Sequence, residues 1–331
     1  MKKIFKQVIK KFSHSLELNL KQMLRKNGTL EYAKYLPSEK EFEQEIQNLL
    51  LQKIPFPMYP YEWTKDYIRK KMGYPGYMGI SKNFSIGKGE LWFAEYNKMR
   101  LYFPDSVWYH SGKNNYDYIL HEMSVTGMEM DLLSPHRYVT KENKMWGTMD
   151  RNENKIPEEP RFCIEKGDIV LDIGASIGNF ARSIVETAGH IYLFESDSSF
   201  NKALELTFKD FKDKVTIVNK FISDVDTENS VRLDTFFKNK QVNFIKADLE
   251  GSEQKMLNGG KNLFTERTNI KCAITTYHKP EDAQNFKNFF ENLDYETKFT
   301  NGFLFVPANN NWLHSSFLRK AVIRVFKSEG A

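Results

Sequence analysis

Cysteine is scarce: Cys163 and Cys272 are the only two in 331 residues, they lie about 110 positions apart, and neither has a Cys-x-x-Cys partner. That pattern supports neither a disulfide framework nor a thiolate zinc site, and two free thiols in a reducing cytoplasm are expected. Long hydrophobic runs are missing too. With no window of about 18 apolar residues, a spanning helix is not expected. The opening Met1-Lys2-Lys3-Ile4-Phe5-Lys6 has the charge of a signal peptide, but Lys10 and Lys11 interrupt any apolar core, which argues against secretion. Charge of one sign is also lacking. The 48 basic residues stand against 43 acidic ones, a net +5, too weak a bias for a nucleic-acid partner.

Residues 1–55 read as a helical N-terminal segment. Ile4, Val8, Phe12, Leu16 and Leu20 recur near the 3.6-residue period, with lysines between them. Asn27-Gly28 breaks the pattern, and Ser38 caps a second stretch bearing Phe42, Ile46, Leu49 and Leu50. The basic first helix can lie weakly on an anionic membrane surface, which would make a cytoplasmic protein peripheral at the inner membrane. Docking on the body of the protein, or on a second copy in a homo-oligomer, is the plainer use.

Residues 56–158 differ in texture, being rich in Tyr, Trp, Pro and Gly, and read as a mixed α+β substrate-recognition or lid region. Glu90–Tyr96 and Arg100–Phe103 look like two strands about a turn at Asn97-Lys98. His136 and Arg137, polar heads beside Pro135, are candidate substrate-binding residues.

From Gly167 the rhythm becomes strand–helix alternation. Strands are expected over 168–175, 190–195, 215–222, 242–249 and 270–277, with helices between them and an amphipathic helix over 281–292. Alternation of this kind implies a parallel sheet covered on both faces. Asn301-Gly302, between 295–300 and 303–306, signals a closing antiparallel hairpin. The tail, 311–331, reads as a basic C-terminal helix.

Three motifs carry chemistry. In Ile169-Val-Leu-Asp172-Ile-Gly174-Ala175-Ser176-Ile177-Gly178-Asn179-Phe180 an apolar strand ends in an acid and opens a helix through a Gly-xxx-Gly turn. Such a turn sits at the carboxyl edge of a doubly wound sheet, where ligands bind. The dinucleotide fingerprint needs a middle glycine, and position 176 is serine, so NAD-dependent oxidoreduction ranks last. Asp172 can attract a cationic ligand. Second, Glu195, followed by Ser196, ends the next strand, where a carboxylate can accept two ribose hydroxyls. Asp224, after the third strand, is placed to contact adenine or to serve a simple turn. Third, Ile245-Lys-Ala-Asp248-Leu-Glu250-Gly251-Ser-Glu253 sets two acids at a strand end. Both reach the cleft only if the chain leaves the strand there, which Gly251 permits; Glu253 then suits the first turn of a helix.

These motifs, with Leu233-Asp234 and Ala273–Asp282, together resemble the FkbM-type family of S-adenosylmethionine-dependent methyltransferases over about 150 residues. The resemblance implies an α/β, Rossmann-like class I methyltransferase sheet, mostly parallel with an antiparallel terminal hairpin, over residues 159–310. It implies S-adenosylmethionine as cofactor, held by Asp172, Gly174, Gly178 and Glu195, and it places Asp248 in the active site. Ala175, Asn179, Phe180, Ser196 and Asp224 are the neighbouring cofactor-binding candidates. O-methylation of a sugar or secondary metabolite is the activity implied.

A hydroxyl acceptor must lose a proton as the methyl group arrives. His278 is the candidate base, with an ordinary pKa of about 6.5. Asp248 can orient that imidazole, act as base itself, or bind Mg²⁺ or a similar ion with Glu250 and His278. Lys279 is a candidate contact to a small-molecule or sugar-nucleotide acceptor. Otherwise His278 caps the helix beginning near Lys279-Pro280. N-methylation of an amine, or an inactive adenosine-binding assembly subunit, are the competing functions.

Overall fold

The computed structural model describes residues 58–59, 85–96, 99–105, 119, 162, 164–267, 270–299, 303–305, 318–320 and 322–327. The readings made for residues 1–55, His136, Arg137 and the Asn301-Gly302 turn lie outside these residues. Among the described residues, no helix is long and apolar enough to cross a membrane.

Ten strands and six helices carry the account. A small sheet comprises β1 (Ser85–Lys88), β2 (Trp92–Tyr96) and β3 (Met99–Phe103). The main sheet contains β4 (Ile169–Ile173), β5 (His190–Phe194), β6 (Val215–Val218), β7 (Phe244–Ala247), β8 (Lys271–Thr275), β9 (Glu296–Phe299) and β10 (Val322–Phe326). The helices are α1 (Asn179–Ile184), α2 (Asn201–Thr207), α3 (Leu233–Phe236), α4 (Glu253–Gly259), α5 (Lys261–Glu266) and α6 (Asp282–Glu291).

Strand order in the main sheet is β9-β10-β8-β7-β4-β5-β6. Strands β4 to β8 are mutually parallel where they pair, and β10 runs antiparallel between β8 and β9. This is the mostly parallel α/β sheet expected, ending in antiparallel pairing. The chain winds outward from β4 to β6, then returns to lay β7 beside β4 and winds the other way. The crevice between β4 and β7 is therefore the switch point where open α/β sheets bind ligands.

The strands read as apolar runs because both faces are covered. Phe244 and Ala247 are fully buried, and so are Val170, Leu171 and Ile173. Alternate residues serve opposite layers. Val170 and Phe244 join Phe180, Ala181 and Leu204 on one face, while Leu171 and Ile245 join Met256, Leu257, Phe264, Phe286 and Phe290 on the other.

The small sheet belongs to the first of these layers. Leu101, Phe103 and Ala94 are buried with α1 and α2 side chains. The Tyr102 N–H donates to Thr207 Oγ1 at 3.0 Å, and Lys202 pairs with Glu90 at 2.7 Å. The register sets Tyr96 opposite Met99, with Asn97-Lys98 between them, as the alternation of residues indicates.

The C-terminal reading requires a correction. Residues 322–326 form a strand, not part of a helix, and the sheet extends past residue 310 to include it. Val322, Val325 and Phe326 are spaced as on a helix, but in a five-residue segment with four apolar residues that spacing is ambiguous. Two valines and an isoleucine, stiff at the β-carbon, favour the pleated conformation. The strands flanking Asn301-Gly302 are not hairpin partners either: β9 pairs with β10, whereas Phe303–Phe305 pairs with Met58–Tyr59 and Leu318–Arg319. Pairing with β10 at the edge of the main sheet wins over the local turn signal.

Candidate active site

Two loops meet at the crevice, one after β4 and one after β7. In the first, Gly174 and Gly178 have φ of +74° and +76°, and Ser176 also lies in the left-handed region at +49°. The need for glycine at 174 comes from the protein itself. A β-carbon there would overlap the carbonyl oxygen of Asp248, so the two loops are in backbone contact. At Gly178 a β-carbon would stand 2.7 Å from Phe208. The Gly174 and Ala175 N–H groups both donate to the Phe194 carbonyl, at 2.9 and 3.1 Å, which ties the loop to the end of β5.

Glu195 follows β5. Its Oε2 accepts the Ser176 N–H and its Oε1 the Asp197 N–H, each at 2.9 Å. Each carboxylate oxygen still has a lone pair for a further donor. Burial raises the Glu195 pKa, opposed by those two backbone bonds and by the charge of Lys246.

Asp172 is fully buried and faces Lys246, its cross-strand neighbour on β7, at 3.1 Å; Lys246 Nζ also donates to the Gly174 carbonyl at 2.7 Å. Burial pushes the Asp172 pKa up, and the lysine opposes that push. The negative charge expected to draw in a cationic ligand is thus already offset. Asp172 and Lys246 hold the loop instead.

The second loop leaves β7 through two left-handed residues, Glu250 at φ +51° and Gly251 at +93°. The chain turns out of the strand at the predicted place, and Asp248, Glu250 and Glu253 converge on His278. His278 Nδ1 stands 2.9 Å from Glu253 Oε1, and Nε2 stands 3.5 Å from Asp248 Oδ1 and 3.4 Å from Glu250 Oε2. Thr275 Oγ1 lies within hydrogen-bond reach of Asp248 Oδ1 (3.2 Å) and Glu253 Oε1 (3.1 Å), so its one proton serves two carboxylates. Glu253, with no exposed surface, also accepts the Leu249 N–H at 2.7 Å, which fixes the turn. Behind the ring, Arg319 is buried and donates to the Tyr277 and His278 carbonyls at 2.7 and 2.9 Å.

This cage changes the reading of His278. Burial works to lower its pKa, but Glu250, Glu253 and Asp248 outweigh burial and hold it up at about 10. The carboxylates draw the ring toward its imidazolium form, whereas its ordinary value suggested a neutral base. Nor is it a helix cap. The cap position of α6 is Glu281, which makes no side-chain capping bond, and Asp282 accepts the Lys279 N–H at 2.9 Å in the turn before the helix.

The remaining candidates divide. Ala175 is buried on the loop, Asn179 is half-buried at the start of α1, and Ser196 and Asp224 are exposed beyond their strand ends. Phe180 is a correction: it is 3% exposed and packs in the core near Phe244, because the first turn of α1 points it inward. Lys279 is half-buried at the crevice beside Gly251. Sequence reasoning assigned no role in the site to Lys246, Thr275, Tyr277 or Arg319, and read Glu253 only as a helix-dipole partner. A lysine inside an otherwise apolar strand was the available signal for the first.

Residues 141–298 match the family model of the methyltransferase FkbM domain. No curated protein matches the chain. Among solved structures, an rRNA methylase from Streptococcus thermophilus is similar at 12% identity and a TM-score of 0.36, covering 50% of this chain and 90% of that one. A precorrin-6y C5,15-methyltransferase from Geobacter metallireducens is similar at 13% identity and a TM-score of 0.32, covering 49% and 82%. A Streptococcus mutans protein assigned as a methyltransferase, in complex with SAH, is similar at 12% identity and a TM-score of 0.34, covering 50% and 91%.

Proposed function

We propose, from the match of residues 141–298 to the methyltransferase FkbM domain model, that the chain transfers a methyl group from S-adenosylmethionine to a hydroxyl of a sugar or sugar-linked small molecule. The observation that carries this reading is the carboxylate–imidazolium cluster of Asp248, Glu250, Glu253 and His278 at the switch-point crevice, backed directly onto the loop that ends in Gly178.

The residues present fit the cofactor. Glu195 offers two carboxylate lone pairs to ribose hydroxyls at the strand end, and the serine at 176 leaves no pyrophosphate fingerprint to satisfy. When bound, S-adenosylmethionine supplies a methyl group on a cationic sulfur; the S–C bond breaks as the C–O bond forms, and the products are S-adenosylhomocysteine and a methyl ether.

The chain's own residues orient the acceptor and take its proton. Holding an acceptor oxygen in line removes most of the entropic part of such a barrier. Proton acceptance falls to the cluster as a coupled unit. Three carboxylates, of Asp248, Glu250 and Glu253, surround one imidazole ring, so the cluster is rich in oxygen acceptors. Asp248, part-exposed and held by the Thr275 hydroxyl, faces the crevice and is the group nearest in role to a base. Glu250, with 73% of its side chain exposed, passes the proton to solvent.

Calorimetric titration with S-adenosylmethionine, S-adenosylhomocysteine and NAD⁺ tests the cofactor, and a labelled-methyl assay over a panel of nucleotide sugars tests the acceptor. Binding of the first two but not the third, weakened by Glu195→Ala, is expected. Folded protein that binds neither methyl-cycle nucleotide would end the reading.

A further inference from the structure

One feature of the crevice is not accounted for by proton transfer alone. His278 is nine-tenths buried, and its Nδ1 is paired with Glu253 at 2.9 Å, whereas Nε2 has no partner closer than 3.4 Å. Its Nε2 is aimed between Asp248 Oδ1 and Glu250 Oε2, at 3.5 and 3.4 Å.

We propose that Asp248, Glu250 and His278 bind one divalent cation of the manganese or magnesium type, which displaces the proton from His278 Nε2 as it binds. The proposal takes its site from the methyl-transfer reading and adds to it a metal. One ligand atom from each residue lies within 4.8 Å of the others. Donors on opposite sides of an ion bound at about 2.1 Å stand about 4.2 Å apart, so closing the set needs less than about 1 Å of movement. Glu250, largely exposed on a loop, is free to supply it.

The surroundings are those of a metal ligand set. Glu253 stands behind the ring, 2.9 Å from Nδ1, where an outer carboxylate fixes which nitrogen faces the ion. Glu253 is itself held by the Leu249 N–H and the Thr275 hydroxyl, and Thr275 also holds Asp248. Arg319 clamps the backbone of the histidine from the far side. Two carboxylates with one imidazole suit a hard or borderline divalent ion and not a thiophilic one. The exposed side toward Glu250 leaves coordination positions for water or an acceptor hydroxyl, whose proton a bound cation makes easier to remove.

The test is titration of chelator-treated full-length protein with Mn²⁺ alone, following the resonance of the free ion, with S-adenosylmethionine binding measured separately. One saturable Mn²⁺ site is expected, with a dissociation constant below about 1 mM, displaced by Mg²⁺. Glu250→Gln, at an exposed position that leaves the fold intact, is expected to weaken it at least tenfold, and Asp248→Asn likewise. Absence of saturable binding, or binding untouched by both variants, would overturn the proposal. Full methyl transfer in excess chelator would overturn it while leaving the methyl-transfer reading standing. A protein that binds Mn²⁺ in this way but no S-adenosylmethionine would keep the cation site and lose the reaction.

Discussion

A lysine in the middle of a buried strand is tolerated only when its charge is met. Lys246 meets Asp172 across the β4–β7 pair and ties down the Gly174 carbonyl. Lys246→Met would leave a buried carboxylate without its counter-charge, a loss of about 3–5 kcal/mol. Asp172→Asn added to it should restore much of that, and denaturant unfolding of both single variants and the double variant would measure the coupling. Gly174→Ala would force a left-handed residue at about 1–2 kcal/mol and drive its methyl group into the Asp248 carbonyl. It should therefore lower stability together with cofactor affinity, and only a comparison of the melting curve with the binding isotherm separates the two. At this scale the structure brings together Asp248, Glu250 and His278, which the spacing of the motifs had pointed to, in surroundings that the spacing does not describe. Gly174 was assigned to a ligand's approach when a second loop supplies the crowding. His278 was given its solution pKa because the distances that surround it with carboxylates are set by a turn whose geometry the residue string does not contain.

At the scale of elements, the parallel strands were legible because each is an apolar run with a helix after it, and both faces of the sheet demand that pattern. The antiparallel end was less so. The Asn301-Gly302 signal is local, while the partner of β9 is decided by which strand best fills the sheet beside β8. The small sheet shows the same dependence on tertiary context. Its residues suggested a substrate-recognition or lid region, yet Phe103 is fully buried among α1 and α2 side chains. Phe103→Ala should cost about 3–5 kcal/mol, the loss of a filled core position, read from the shift in denaturant midpoint. A loss under 1 kcal/mol would mean that β1–β3 is a detachable cover.

For the whole molecule, two buried groups set the direction of its pH response. Burial raises Asp282 from the ordinary carboxylate value to about 6, with the Lys279 N–H opposing. A carboxylate raised in the folded state stabilises below about pH 4, and that contribution is lost as pH climbs through 6. His278, raised to about 10 by its carboxylates against the pull of burial, stabilises below about pH 6.5 and loses that contribution as pH climbs through 10. Both act in one direction, so thermal stability in chelator should fall from neutral to alkaline pH. His278→Asn should flatten the part above neutrality, and Asp282→Asn the part between about pH 4 and 6. A stability that rises toward pH 10 would contradict the carboxylate cage.

Strand β10 lies inside the sheet although it is the last of the seven to be made. During synthesis β8 and β9 are complete while the strand that separates them is still about 20 residues away. Until then each presents a bare row of amides and carbonyls, and an unprotected edge is a template for another chain. A ribosome stalled after residue 310 would hold a sheet that has its cofactor loop and its carboxylates but remains open on the side where β10 belongs. Such nascent chains should cross-pair or recruit chaperones, and the finished protein should acquire its resistance to proteolysis in a single step, when residues 322–326 close the gap.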